Sequence, residues 1–378
     1  MKKILIVCGD ITNIGGAATN SYNLLKLISD TEGYNGIGLF ISTLSPNNYD
    51  LDPDNLSNIY HLNLDDKIED RINEFKKNIG NIDIIFCKNY KIFPLVYNCF
   101  NCPIIYSPSG IRYVGLNISN KYINDLIMNN FWDRINKYTI KNSENLYKFI
   151  KQNDKYLEKY VFEKANNIVC NSHLTNKLVE SYFKSNNLNT DKLINPLYLS
   201  NISLYDNQHN YKFNDREYDI GFISYSWRRH YKNYSLVLDL LLSKELSDYS
   251  IVIIGGNQLI DKYHSNITFY EFLNKEEINN IYIKIKSVVI PSTYDSNPNV
   301  LVESINYGCN VVTSPNVGNS NYINNDLIVN DYKNIKSWIE KIKISLLKEY
   351  NYIGPKRIDI SNQFFNMIDK VVENKSLL

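Results

Sequence analysis

The sequence predicts an α/β protein built from two doubly wound, parallel-sheet domains. Two observations carry this. Short apolar runs of strand length alternate with longer amphipathic stretches, the pattern of strands joined by crossover helices. The alternation comes in two series, and between them lies "NPLYLSNISLYDNQHNYKFNDRE" (195–217), which is polar and without periodicity. The chain's 378 residues are enough for two domains with full cores.

In the first series "KKILIVCG" (2–9) reads as a buried strand, and "IDIIFCK" (82–88), "PIIYSPS" (103–109) and "NNIVCNS" (166–172) follow at spacings that leave room for helices. Segment 112–160 is tyrosine-rich and helical in pattern, an insertion in the first domain. The second series runs "EYDIGFIS" (217–224), "YSIVIIGG" (249–256), "NITFYEF" (266–272), "SVVIPS" (287–292) and "NVVTSP" (310–315), with helices expected over 233–245 and 275–285. The tail "PKRIDISNQFFNMIDKVVENK" (355–375) reads as a helix after a Gly-Pro break. The expected division is a first domain over 1–198, a linker over 199–216, a second domain over 217–354 and a terminal helix within 355–378.

Composition removes several classes of function. The net charge is +1 and no block of like charges stands out, which argues against a nucleic-acid partner. "MKKILIVCGD" has only a short apolar run ending in Gly-Asp, unlike a signal segment, and no window is long enough to span a bilayer. The expectation is a cytoplasmic chain with room for peripheral membrane contact. Five of the six cysteines lie in or beside apolar runs, as reduced buried thiols do. Cys99 and Cys102 form a lone C-x-x-C without the second pair a zinc site needs, and the five histidines show no ligand spacing.

In doubly wound sheets ligands sit at the carboxyl ends of strands, so the loops there carry the functional signal. After the first strand, "GDITNIGGAATNSYNLLKLI" (9–28) places Gly15 and Gly16 before a helix. The pair fits close approach of backbone to a ligand and equally a tight turn. It is neither a dinucleotide fingerprint nor a P-loop. In "ISYSWRRHYKNYSLVLDLL" (223–241) the cations Arg228, Arg229 and Lys232 fall between strand and helix. They suit an anionic ligand, and a solvated loop tolerates them too.

The third loop, "PSTYDSNPNVLVES" (291–304), sets Asp295 and Glu303 on either side of Asn-Pro-Asn with seven residues between them. Pro298 is expected to open a helix capped by Asn297 and ending at Gly308. The backbone over Asn297, Pro298, Asn299 and Val300 then offers N–H groups that favour a phosphate-type anion. The carboxylates on either side are strong acceptors for hydroxyl groups. Hydroxyls, phosphates and further hydroxyls in one ligand describe a nucleoside diphosphate sugar, with Asp295 at the sugar and Glu303 at the ribose. Acidic residues also gather near helix starts for dipole reasons alone.

The whole chain resembles retaining glycosyltransferases of family 4 (glycosyl transferases group 1), which have the GT-B fold of two Rossmann-like domains facing a central cleft. The stretch "VVIPSTYDSNPNVLVESINYGCNVVTSPNVG" is similar to that family's core signature of two acids spaced by seven. The resemblance implies sugar contacts for Asp295 and the backbone after it, and ribose contacts for Glu303. It implies diphosphate contacts for Gly15 and Gly16 and for Arg229 with Lys232, and a nucleobase near Phe272 and Leu273. It also implies that the first domain takes the acceptor, with Ser109 and Arg112 as acceptor-side candidates. The terminal helix is then expected to cross back to the first domain, anchored by Phe364, Phe365 and Ile368.

Several positions depart from the family pattern. Asp295 stands where Glu is usual, and Ser109 where many members carry His. Ser224 replaces a common Gly, and "VGNSNYI" (317–323) lacks the second Gly and the following acid.

The activity implied is transfer of a sugar from a nucleotide-diphosphate-sugar donor to an acceptor hydroxyl on a glycan, glycolipid or glycoprotein, with retained configuration. Arg229, Lys232 and Asp295 are the expected catalytic residues, and neither a metal nor a cofactor is required. A non-catalytic sugar-binding subunit, or an epimerase or phosphorylase of the same fold, is the alternative. "LDPDN" (51–55) contains a D-x-D, but in a polar loop far from the signature it reads as ordinary surface.

Overall fold

The computed structural model describes residues 1–9, 16–42, 58–64, 67–108, 158–197, 212–227, 232–256, 266–350, 352, 354 and 356–375. Gly15, Ser109, Arg112, Arg228, Arg229 and the D-x-D at 52–54 lie outside them, as does most of the expected insertion. The described residues form two compact units, one of 1–108, 158–197 and 357–375, the other of 212–356.

The first unit contains, in chain order, β1 (Lys2–Cys8), α1 (Gly16–Ser29), β2 (Tyr34–Ser42), β3 (Ile59–Asn63), α2 (Ile68–Ile79), β4 (Ile84–Cys87), α3 (Phe93–Cys99), β5 (Ile104–Tyr106), β6 (Asn167–Val169), α4 (His173–Ser185) and β7 (Leu193–Ile194). The strands form one parallel sheet in the order β3-β2-β1-β4-β5-β6-β7. Central β1 is covered on both faces, so Ile4, Leu5, Ile6 and Val7 are all buried and the strand reads as a continuous apolar run. Helix α2 instead buries Ile68, Ile72, Phe75 and Ile79, the single stripe of an amphipathic helix. Ser172 caps α4, its hydroxyl accepting from the Thr175 amide at 3.1 Å.

The second unit contains β8 (Tyr218–Ser226), α5 (Tyr234–Leu241), β9 (Ile251–Gly256), β10 (Ile267–Tyr270), α6 (Lys275–Tyr282), β11 (Ile285–Ile290), α7 (Asn299–Asn306), β12 (Asn310–Thr313) and α8 (Ile335–Ser345). Its parallel sheet runs β10-β9-β8-β11-β12. Alternation along β9 feeds two cores: Val252 and Ile254 pack with Val288, Ile290 and Leu301, while Ile251 and Ile253 pack with Phe222, Val289 and Trp338. The helix expected to reach 285 stops at Tyr282, and β11 takes up Ile285 and Lys286. A lysine fits this largely apolar strand because its ammonium meets Asp219 at 2.9 Å. Buried Arg216 donates to the carbonyls of Ile285 at 2.6 Å and Tyr307 at 2.8 Å, tying the start of β11 to the end of α7.

The final helix, α9 (Arg357–Lys375), belongs to the first unit. Phe364 is fully buried with its ring edge-on to Phe86 at 5.7 Å, Phe365 packs against Tyr34 at 4.3 Å, and Ile368 is buried beside them. Asp369 accepts from the Lys2 ammonium at 2.7 Å and from the Tyr34 hydroxyl at 2.8 Å. Burial, and then Asp369, push the Tyr34 phenol up to about 12, so it remains a donor at any working pH. Because these groups are one-third exposed, Asp369→Ala is expected to lower stability by only about 1 kcal/mol. A shift of the urea midpoint at unchanged slope measures it. Among the described residues no helix is long and apolar enough to cross a membrane.

Candidate functional site

The second sheet reverses its strand order at β8, whose neighbours are β9 on one side and β11 on the other. Carboxyl ends at such a switch point form a crevice. Lys232 follows β8, Asp295 follows β11, and they meet across it at 2.7 Å with side chains 15% and 14% exposed. Asn233 braces the pair: at φ 55°, ψ 53° it starts α5, and its amide donates to the Pro291 carbonyl at 3.1 Å. Asparagine enters this left-handed region more readily than most residues, which is the signal by which the "KN" pair could have been found.

Asp295 is also fixed through its backbone. Its amide donates to the Asn316 carbonyl at 3.3 Å and its carbonyl accepts from the Gly318 amide at 2.7 Å, a short parallel bridge to the segment after β12. Asn319, one of the departures from the family pattern, adopts φ 69°, ψ 7° and donates its amide to the Asn297 side chain at 2.7 Å. The turn therefore survives without a glycine at that position.

Helix α7 begins one residue later than expected. Pro298 has the extended ψ of 128° and occupies the cap, making no side-chain hydrogen bond, and Asn299 is the first helical residue. Asn297 is thus not the cap; its side chain is engaged by Asn319. Proline carries no N–H, so the amides that precede the first helical bond, Leu301 to Pro298 at 3.1 Å, are those of Asn297, Asn299 and Val300. They supply the positive end of the helix dipole next to the Lys232–Asp295 pair. Val300 packs its side chain on the core, and the helix ends at Asn306, capped by Tyr307 and followed by Gly308 at φ 69°.

Glu303 lies one turn into α7, where its Oε2 accepts from the Tyr282 hydroxyl at 2.8 Å. Tyr282 is fully buried and stacks on Tyr307 at 5.5 Å and 4°. Burial first, and then the Glu303 charge, hold the Tyr282 phenol well above its ordinary value. Glu303 is legible in the sequence and Tyr282 is not, since a tyrosine on the buried side of an amphipathic helix reads as core.

Two aromatic rings stand exposed at the ends of β8 and β10: Phe272 is 59% and Tyr225 57% exposed, with centroids 5.9 Å apart. The Phe272 ring lies against Gly256, where a Cβ would come within 2.3 Å of it. Gly255 has φ 135°, and a Cβ there would lie 1.8 Å from the Ser224 carbonyl oxygen, so glycine is required. Leu273 differs from Phe272, packing partly buried against the core. Gly16 opens α1 in the first unit. Among the described residues no cluster of His, Cys, Asp or Glu is arranged to hold a metal ion.

Residues 207–363 match the family described as "Glycosyl transferases group 1". That match contains Lys232, Asp295, Glu303 and Phe272. No curated protein matches the chain. Among solved structures, sucrose-phosphate synthase from Thermosynechococcus elongatus is similar with a TM-score of 0.61 at 12% identity, covering 99% of this chain and 100% of that one. WaaG, a glycosyltransferase involved in lipopolysaccharide biosynthesis, gives 0.58 at 12% identity, covering 98% of each chain. TarM gives 0.58 at 13% identity, covering 97% of this chain and 99% of that one. These likenesses show the fold, an α/β chain of two Rossmann-like units in the GT-B manner.

Proposed function

We propose that this protein transfers a sugar from a nucleoside-diphosphate sugar to an acceptor hydroxyl, with the anomeric configuration retained and without a metal ion. The observation that carries the proposal is the Lys232–Asp295 pair at the switch point beside the start of α7, inside the segment that matches group 1 glycosyl transferases. Diphosphate oxygens would lie at the first amides of α7 and the Lys232 ammonium. Asp295 would accept from sugar hydroxyls, Glu303 from ribose hydroxyls, and the base would rest by Phe272.

In the reaction the bond from the anomeric carbon to the phosphate oxygen breaks, and a bond from that carbon to the acceptor oxygen forms on the same face. The acceptor's proton passes to the departing phosphate. Negative charge grows on the leaving diphosphate, and preorganised cations in the site stabilise it. Arg229 is proposed beside Lys232 in this role, Gly15 and Gly16 at the diphosphate, and Ser109 and Arg112 on the acceptor side.

A panel of UDP-, GDP- and ADP-linked sugars tested by thermal shift checks the reading. At least one should raise the melting temperature, since a ligand at a hundred times its dissociation constant adds about 2.7 kcal/mol of stability. No shift with any of them would remove the donor assignment. A donor converted to another sugar without an acceptor would favour an epimerase instead.

A further inference from the structure

We propose that Tyr282 is a positioning residue that holds the Glu303 carboxylate for the vicinal hydroxyls of the donor's ribose. The inference rests on the donor reading above and adds a residue that never touches the nucleotide. Tyr282 comes from the last position of α6 and Glu303 from the middle of α7, so the 2.8 Å hydrogen bond joins two helices on the same sheet. The residue is held in place: its ring is fully buried and lies flat on Tyr307, and its backbone carbonyl accepts from the Cys309 thiol at 3.2 Å.

A carboxylate has about four acceptor positions, so one bond from a fixed phenol orients the group and leaves capacity for two ribose hydroxyls. Without it the glutamate side chain must lose rotamer freedom on every binding event. The phenol keeps its proton because burial and the Glu303 charge both oppose ionisation. Glu303 likewise raises the Tyr307 phenol, after burial. Both phenols therefore stay neutral across the working pH range, and Tyr282 meets the carboxylate as a hydrogen-bond donor.

The effect is readable as selectivity for ribose. UDP, GDP and ADP, each beside its 2′,3′-dideoxy form, are titrated into the wild type, Tyr282→Phe, Glu303→Ala and the double variant. The wild type is expected to bind at least one diphosphate and to bind its dideoxy form more weakly. Tyr282→Phe keeps the packed ring and should reduce that preference roughly fivefold, the scale of one net hydrogen bond. Affinity for the dideoxy form should stay nearly constant. In the Glu303→Ala background the tyrosine change should add nothing, the signature of one residue acting through the other.

An undiminished ribose preference in Tyr282→Phe would overturn the inference while leaving the donor reading in place. An equal loss for both sugar forms would do the same, because it marks a purely structural contact. A wild type that binds none of the diphosphates would overturn both.

Discussion

Replacing Lys232 with alanine is expected to cut turnover by about 10²–10³, the loss that follows removal of one preorganised stabiliser of developing charge. Donor affinity should fall less, because the bridging oxygen carries its full charge only as the sugar departs. The structure adds a second reason for the large effect. Lys232 and Asp295 are 2.7 Å apart and mostly shielded from solvent, so the variant strands a carboxylate beside the diphosphate. An ammonium has three donors and can keep Asp295 while meeting a phosphate. Removing Asp295 as well should therefore cost less than the sum of the two single changes. Lys232→Arg is not expected to rescue, since a planar fork and a compact ammonium differ in reach. The same direction of effect is expected for Arg229→Ala, with activity persisting in a chelator. Near-normal turnover of Lys232→Ala, or complete loss of activity in chelator, would remove this mechanism.

Glu303→Ala is expected to weaken nucleoside-diphosphate binding by about 1.5–3 kcal/mol, the range for hydrogen bonds to a charged group. That is roughly tenfold to more than a hundredfold in dissociation constant. The change leaves the Tyr282 hydroxyl, buried at the α6–α7 contact, without its 2.8 Å acceptor, so stability of the ligand-free protein should fall as well. Two readouts separate these effects. The melting temperature without ligand reports the packing loss, and the additional shift on adding diphosphate reports the ribose contact. An unchanged ligand-induced shift would show that Glu303 is not a nucleotide contact.

Much of the fold was legible because both sheets are parallel and buried. Unbroken apolar stretches such as ILIVC in β1, IVII in β9 and VVI in β11 mark buried strands without need of alternation. Strand β2 was missed because "YNGIGLFIS" carries two glycines, which weaken a strand reading. The structure shows what one of them is for: a Cβ on Gly38 would lie 2.7 Å from the Leu25 side chain, so its absence lets α1 pack close to the sheet. Strands β3 and β7 are short, and β3 is half polar at a sheet edge, so neither leaves a strong pattern.

The site was legible in part for similar physical reasons. Asp295 and Glu303 stand out as carboxylates around a helix start, and Lys232 as a cation at a strand end. Their partners do not stand out. The pairing of Lys232 with Asp295 joins residues 63 apart in sequence, and nothing local announces it. Asn233 and Asn319 act through left-handed backbone conformation and their side-chain amides, and Gly318 through its main-chain amide, which residue type records only faintly. The helix start was misjudged by one residue because Pro298 suits both the first helical position and the cap, and its ψ of 128° decides for the cap.

The central claim is that the two acids hold opposite ends of one donor, Asp295 the sugar and Glu303 the ribose. Calorimetric titration of the free nucleoside diphosphate into the wild type, Asp295→Ala and Glu303→Ala tests it most directly, with turnover of the sugar donor measured alongside. Asp295→Ala should bind the diphosphate as well as the wild type or better, because Lys232 loses its competing partner at 2.7 Å, and should be impaired in turnover of the sugar donor. Glu303→Ala should lose diphosphate affinity itself. Equal losses of diphosphate affinity in both variants would contradict the division of the site.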